Sequence, residues 1–127
     1  RLHCQGRLIC VLGCGGDRDP GKRPLMGFAA VPPSDLCLFT SDNPRSESPA
    51  SIIDEMCRDL AVPLDPADCL IDRKAAIQRA LTLQEPGDVV VILGKGHERY
   101  QEIQGVRYPF NDEAIVTAEL MQRGRRA

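Results

Sequence analysis

The chain has 127 residues, 27% of them charged, and a net charge of −2. That length suits one domain with its own core, and that balance excludes broad electrostatic binding to nucleic acid. No run reaches the roughly 20 apolar residues that span a bilayer, and no apolar signal segment opens the chain.

In chain order, Leu8–Leu12 is a continuous apolar run ended by Gly13, the pattern of a strand buried on both faces of a parallel sheet. A glycine-rich charged loop follows from Gly13 to Pro24. Leu25, Met26, Phe28 and Ala29 then predict a helix, stopped by Pro32 and Pro33. Leu36–Thr40 is a second strand leading into the turn Asp42-Asn43-Pro44-Arg45. Ser48 is placed to cap a helix with Pro49 at its first position, and Ile52, Ile53, Met56 and Leu60 form its apolar face. A short strand at Cys69–Ile71 precedes a helix capped by Asp72, with Ala76, Ile77, Ala80, Leu81 and Leu83 as its buried stripe. Pro86-Gly87 turns into Asp88–Leu93, which reads as the most plainly buried strand. Beyond the polar loop Gly94–Glu98, Tyr100–Ile103 and Val106–Pro109 flank Gln104-Gly105 as a hairpin. Asn111 caps a final helix with Asp112 and Glu113 in its first turn, and the arginine-rich residues 121–127 read as a solvated, flexible tail.

Strands alternating with helices define an α/β fold, a mostly parallel sheet flanked by helices with a small β-hairpin near the C-terminus. Right-handed crossovers then bring the three polar loops to one carboxyl edge. The chain starts without methionine at what reads as the end of a helix, so it is expected to be a single domain (1–127) truncated on its N-terminal side.

Six cysteines without a CxxC pair, with Cys10, Cys37 and Cys69 inside apolar runs, make neither a disulfide framework nor a metal site. His3 and His97 are not spaced as zinc partners, and reduced thiols fit a cytoplasmic protein. Gly16–Arg23 nearly spells a phosphate-binding loop, but Arg23 stands where the magnesium-binding hydroxyl belongs. Asp17 and Asp19 would also repel a triphosphate. Gly13-Cys14-Gly15 begins a dinucleotide fingerprint whose third glycine position is Arg18.

The mixed charges of this loop are open to two readings. Arg18, Lys22 and Arg23 pair locally with Asp17 and Asp19, or Arg18 grips a carboxylate with its planar fork. Asp42 and Asn43 suit an Asx-type turn, whereas Arg45 beside rigid Pro44 suits bidentate recognition of a carboxylate. In the third loop Gly94 lets a ligand approach the backbone and Glu98 can bind an ammonium. His97 reads as a supporting hydrogen-bond partner and Lys95 as a solvated cation. Together these residues suit a zwitterionic ligand, and they contain no nucleophile–base pair.

Four motifs in this order, Gly13–Asp19, Gly21–Met26, Asp42–Arg45 and Gly94–Glu98, resemble the C-terminal domain of the Mur ligase family. The resemblance runs from Arg1 to about Leu120 and implies a three-domain, ATP- and magnesium-dependent, cytoplasmic and monomeric ligase, whose C-terminal domain binds the incoming amino acid and helps close the ATP site. In such an enzyme ATP activates the D-glutamate carboxylate of UDP-MurNAc-L-Ala-D-Glu as an acyl phosphate, and the amine of the next amino acid attacks it. In the family the Asp-Asn-Pro-Arg turn accompanies addition of meso-diaminopimelate, and lysine-adding relatives lack the arginine. By this matching, Arg18, Asp42, Asn43, Pro44, Arg45, Gly94 and Glu98 are expected to bind diaminopimelate, supported by Lys95 and His97. No catalytic or metal-binding residue is expected in this chain, which alone should bind no cofactor and catalyse no ligation. The partners implied are small molecules, with neither nucleic acid nor membrane. The alternatives are a lysine-adding Mur ligase, a folylpolyglutamate-synthetase-like domain, or a non-catalytic module for a small zwitterion or nucleotide.

Overall fold

The computed structural model describes residues 5–95 and 98–126. In chain order the elements are β1 (Leu8–Cys14), α1 (Lys22–Ala30), β2 (Leu36–Ser41), α2 (Pro49–Cys57), a 3-10 turn (Pro66–Asp68), β3 (Cys69–Leu70), α3 (Arg73–Leu83), β4 (Val89–Leu93), the hairpin strands β5 (Tyr100–Ile103) and β6 (Val106–Pro109), and α4 (Asp112–Arg126). The expected α/β architecture is present. Four parallel strands lie in the order β3-β2-β1-β4, and β5 and β6 pair antiparallel as a separate hairpin.

Alternation along β1 and β2 builds two core layers. Cys10, Leu12, Cys37 and Phe39 pack against Ile52, Ile53 and Met56 of α2. From the other face Ile9, Val11 and Leu38 meet Ala76 and Ala80 of α3. The chain moves outwards from β1 to β3, then crosses back to place β4 on the far side of β1. The order therefore reverses between β1 and β4, and the carboxyl ends of these strands flank a topological switch point.

Local signals hold where their chemistry is local. The Ser48 hydroxyl accepts from the Ser51 N–H, and the Asp72 carboxylate accepts from the Lys74 N–H. Elsewhere tertiary contacts overrule them. Leu25 and Phe28 of α1 are 65% and 57% exposed, while Arg23, Pro24 and Gly27 face inward. A methyl group on Gly27 would lie 2.1 Å from the Met56 carbonyl oxygen, so α1 approaches the α2 backbone through a position only glycine can fill. That contact and the inward Arg23 set the rotation of the helix against its own hydrophobic residues.

The run read as the most buried strand is half exposed, with Val89 at 38% and Leu93 at 43%. Its place at the end of the sheet order leaves one side without a partner strand among the described residues. At the other end, α4 continues to Arg126, through the residues expected to form a tail. Ala118, Glu119, Leu120, Met121 and Gln122 are strong helix formers, which is reason enough for the extension.

Candidate functional site

The three charged loops leave the carboxyl ends of β1, β2 and β4 and meet above the switch point. They touch at Gly94, whose φ of 122° is open to glycine and whose added methyl would lie 2.9 Å from the Gly13 carbonyl oxygen. At Gly16 an added methyl would lie 1.9 Å from the Pro44 carbonyl oxygen. The Gly16 N–H donates to the Asn43 carbonyl at 2.7 Å. The first and second loops are thus in backbone contact, and buried Pro44 is a wall of that contact.

Lys95 organises the site, contrary to its reading as a solvated cation. Only 3% exposed, it donates through Nζ to Asn43 Oδ1 and to the Tyr100 carbonyl, both at 2.7 Å. Asp42 Oδ1 lies 3.3 Å from the same ammonium, an ion pair without hydrogen-bond alignment. The rings of Tyr100 and Phe110 sit 5.9 Å from Nζ and complete its cage. Asn43 passes the connection on. Its Oδ1 also accepts from the Glu102 N–H at 2.9 Å, and its Nδ2 donates to Glu98 Oε2 at 3.0 Å. Glu98 is thereby oriented by the same amide that holds Lys95.

Arg45 has a left-handed φ of 54°, uncommon for a residue with a Cβ. The hairpin holds it there: the Arg45 N–H donates to the Glu102 carbonyl at 2.9 Å, and its carbonyl accepts from the Gln104 N–H at 2.7 Å. Its guanidinium donates through Nη1 to the Gly16 carbonyl at 2.8 Å and has no carboxylate partner among the described residues. A methyl group at Gly15 would meet Arg45 Nη1 at 3.0 Å, Arg18 Cγ at 3.5 Å and Asp42 Oδ2 at 3.8 Å. Arg18 and Arg45 therefore flank one open glycine. Beside it lies a 180 Å³ cavity lined by Cys14, Arg18, Lys22 and Met26, among others.

The loop charges sort differently from the expected local network. Arg23 turns inward to Glu47 and Glu55 and donates to the Gly15 carbonyl at 3.0 Å. Asp17 accepts from the Ser46 hydroxyl at 2.6 Å, and Asp19 accepts from the Gly21 N–H at 3.0 Å. Exposed Arg18 has no ion-pair partner among the described residues. The aspartates are spent on structure, and Arg18 is left to the site.

Donation from Arg23 and from the Asp17 N–H holds the Glu47 carboxyl below its usual range. Backbone N–H groups of Arg7 and Glu85, with the Arg7 guanidinium, do the same for Asp88. A carboxyl lowered on folding stabilises the protein above its unfolded pKa, about 4.3 for Glu and 3.9 for Asp, and loses that contribution as pH falls through the folded value. The melting temperature should therefore hold from neutral pH to about pH 5 and fall below about pH 4. Glu47→Gln should flatten that fall in a pH series of thermal melts, and an unchanged acid slope would count against this pairing.

The structure brings Arg18, Asp42, Asn43, Pro44, Arg45, Gly94 and Glu98 to one edge, with Lys95 beneath them. His97 lies outside the described residues. The sequence reading missed Gln101, whose Nε2 donates to the Asp42 carbonyl at 2.8 Å, the buried cation Arg73, and the half-exposed Glu47 that holds Arg23. Nothing in the local sequence marks these as different from solvated residues. Burial pushes the Cys14 thiol up to about 11, so it is a neutral wall of the cavity at pH 7. Among the described residues no group of three or more His, Cys, Asp or Glu side chains could hold a metal ion.

An open parallel α/β sheet with helices on both faces and charged loops over its switch point defines a domain of the doubly wound class. Residues 1–96 match the family model of the Mur ligase glutamate ligase domain, and the chain belongs to the Mur ligase family. It is 50% identical over 123 residues to a UDP-N-acetylmuramoyl-L-alanyl-D-glutamate–2,6-diaminopimelate ligase of Chromobacterium violaceum, covering 95% of this chain and 24% of that protein. A protein of the same name from Aquifex aeolicus is 51% identical over 116 residues, covering 91% and 24%. A solved structure described by that name superposes with a TM-score of 0.85 at 42% identity, covering 96% of this chain and 25% of that one. The chain thus spans about a quarter of the length of the relatives it matches.

Proposed function

We propose that this chain is the amino-acid-binding C-terminal domain of an ATP-dependent ligase that adds meso-diaminopimelate to UDP-MurNAc-L-Ala-D-Glu. The observation that carries the proposal is that Arg45 Nη1 and the stem of Arg18 both lie against Gly15, with no carboxylate partner for either guanidinium among the described residues. Diaminopimelate has two carboxylates and two ammonium groups. Arg45 and Arg18 take carboxylates through bidentate hydrogen bonds, and Glu98, fixed by Asn43, takes an ammonium. Asp42, Asn43, Pro44 and Gly94 complete the binding set by shaping the loops and letting the ligand approach the backbone. The relatives reported above all carry 2,6-diaminopimelate in their names, which supports this reading over a lysine- or glutamate-adding one.

The described residues of this chain do not fit an ATP or magnesium site of their own. Pro44 fills the space at Gly16, Asp19 occupies the Gly21 N–H before α1, and Arg23 is committed to Glu47 and Glu55. Carboxyl activation by ATP is accordingly assigned to the rest of the polypeptide, and the free thiols of Cys10, Cys14 and Cys37 fit work in the cytoplasm. This chain holds the incoming amine and excludes amino acids that leave a guanidinium without its anion. The test is an amide-forming assay of the full-length ligase with diaminopimelate and with lysine. Diaminopimelate should be preferred by at least about 100-fold in kcat/KM. Equal use of the two would overturn the proposal.

A further inference from the structure

Arg73, the first residue of α3, is 0% exposed and hydrogen-bonds to none of the side chains assigned to the ligand. Its Nε and Nη2 each donate to the Asp112 carboxylate at 2.8 Å, a side-on pair that fixes the plane of the guanidinium. Two further donors reach backbone. Nη1 donates to the Ser41 carbonyl at 3.1 Å and Nη2 to the Leu93 carbonyl at 3.3 Å. Ser41 immediately precedes Asp42, where the loop of Arg45 begins, and Leu93 immediately precedes Gly94, where the loop of Glu98 begins. The third loop is present too, since a methyl group on Gly13 would lie 2.9 Å from Arg73 Nη1. One planar cation therefore stands at the roots of all three charged loops.

We propose that Arg73 is a positioning residue that sets the separation between the carboxylate-reading loop and the ammonium-reading loop, with Asp112 as its anchor. It thereby selects amino acids charged at both ends of their carbon chain. The inference deepens the function proposed above and rests on it. A guanidinium is suited to the task because its donors are rigidly spaced, so the Ser41 and Leu93 carbonyls are held at a fixed distance. A lysine has one nitrogen on a flexible stem and cannot hold both carbonyls and the carboxylate in one plane. A site reading both ends of its ligand is sensitive to this spacing, since a misplacement of about 1 Å can cost about 100-fold.

The experiment uses the full-length ligase with Arg73→Lys, Asp112→Asn and Ile77→Ala. Ile77 is fully buried on the same helix, so its variant supplies a loss of stability without touching the loop roots. KM for diaminopimelate, ATP and the UDP-linked dipeptide is measured separately, with a thermal melt of each protein. Arg73→Lys and Asp112→Asn should raise KM for diaminopimelate by about tenfold or more, with KM for ATP within about twofold. Ile77→Ala should lower the melting temperature and leave KM for diaminopimelate unchanged. An unchanged KM in both of the first two variants, or an equal rise in Ile77→Ala, would overturn the proposal. If Arg73→Lys does not fold, Asp112→Asn decides by the same outcomes, because it keeps the guanidinium and both carbonyl bonds. Preference for lysine in the unmutated ligase would instead overturn the functional reading. The spacing claim would then be scored with whichever amino acid that enzyme uses.

Discussion

Lys95→Met should destabilise the protein by about 3–5 kcal/mol, the range for removing one partner of a buried ion pair. Methionine nearly matches the length of the lost stem, so the cost is electrostatic. Asp42, with its side chain 13% exposed, is left with an uncompensated carboxylate, and Asn43 Oδ1 and the Tyr100 carbonyl lose a charged donor. For a domain whose total stability is on the order of 5–15 kcal/mol, such a loss is about a fifth or more of the whole. Urea unfolding would show it as a lower midpoint at unchanged slope. Asp42→Asn in the same background should recover part of the loss, with a coupling of about 1–3 kcal/mol in the double-mutant cycle. A Lys95→Met midpoint matching the unmutated protein would remove Lys95 from the centre of the site.

Arg45→Ala carries the second large effect, on selectivity more than on stability. The guanidinium donates only to two backbone carbonyls, Gly16 at 2.8 Å and Asn43 at 3.5 Å, so its removal costs the fold little. The ligand's second carboxylate would lose its charge-assisted partner. We expect kcat/KM for diaminopimelate to fall by about 10²- to 10³-fold, with use of lysine nearly unchanged. Arg45→Lys keeps the charge without the fork and should recover no more than about tenfold. A comparable loss with both amino acids would mean that Arg45 supports the loop rather than reads the ligand.

What was legible in the sequence is what neighbouring residues decide. The apolar runs of β1 and β2, the caps at Ser48 and Asp72, and the hairpin around Gln104 and Gly105 follow from chemistry within a few positions. The charged loops after β1, β2 and β4 were legible for the same reason, being short and at strand ends. The buried cations were not. Lys95 meets Asn43, Arg73 meets Asp112 and Arg23 meets Glu47 across spans of 52, 39 and 24 residues, so each looks locally like a solvated charge. The half-exposed faces of β4 were hidden too, because an apolar run does not say whether its strand lies inside a sheet or at its edge. The inward side of α1 was set by Gly27 and Arg23, the residues a hydrophobic count ignores.

The left-handed backbone at Arg45 has a consequence for how this site would fare under directed evolution. Holding a residue with a Cβ in that region costs about 1–2 kcal/mol, a penalty that glycine escapes and asparagine reduces. Heat resistance and ligand choice therefore pull position 45 in opposite directions. A library screened for thermostability alone should drift there towards Gly or Asn and lose its discrimination between amino acids, whereas one screened for discrimination should keep the arginine and seek its stability elsewhere.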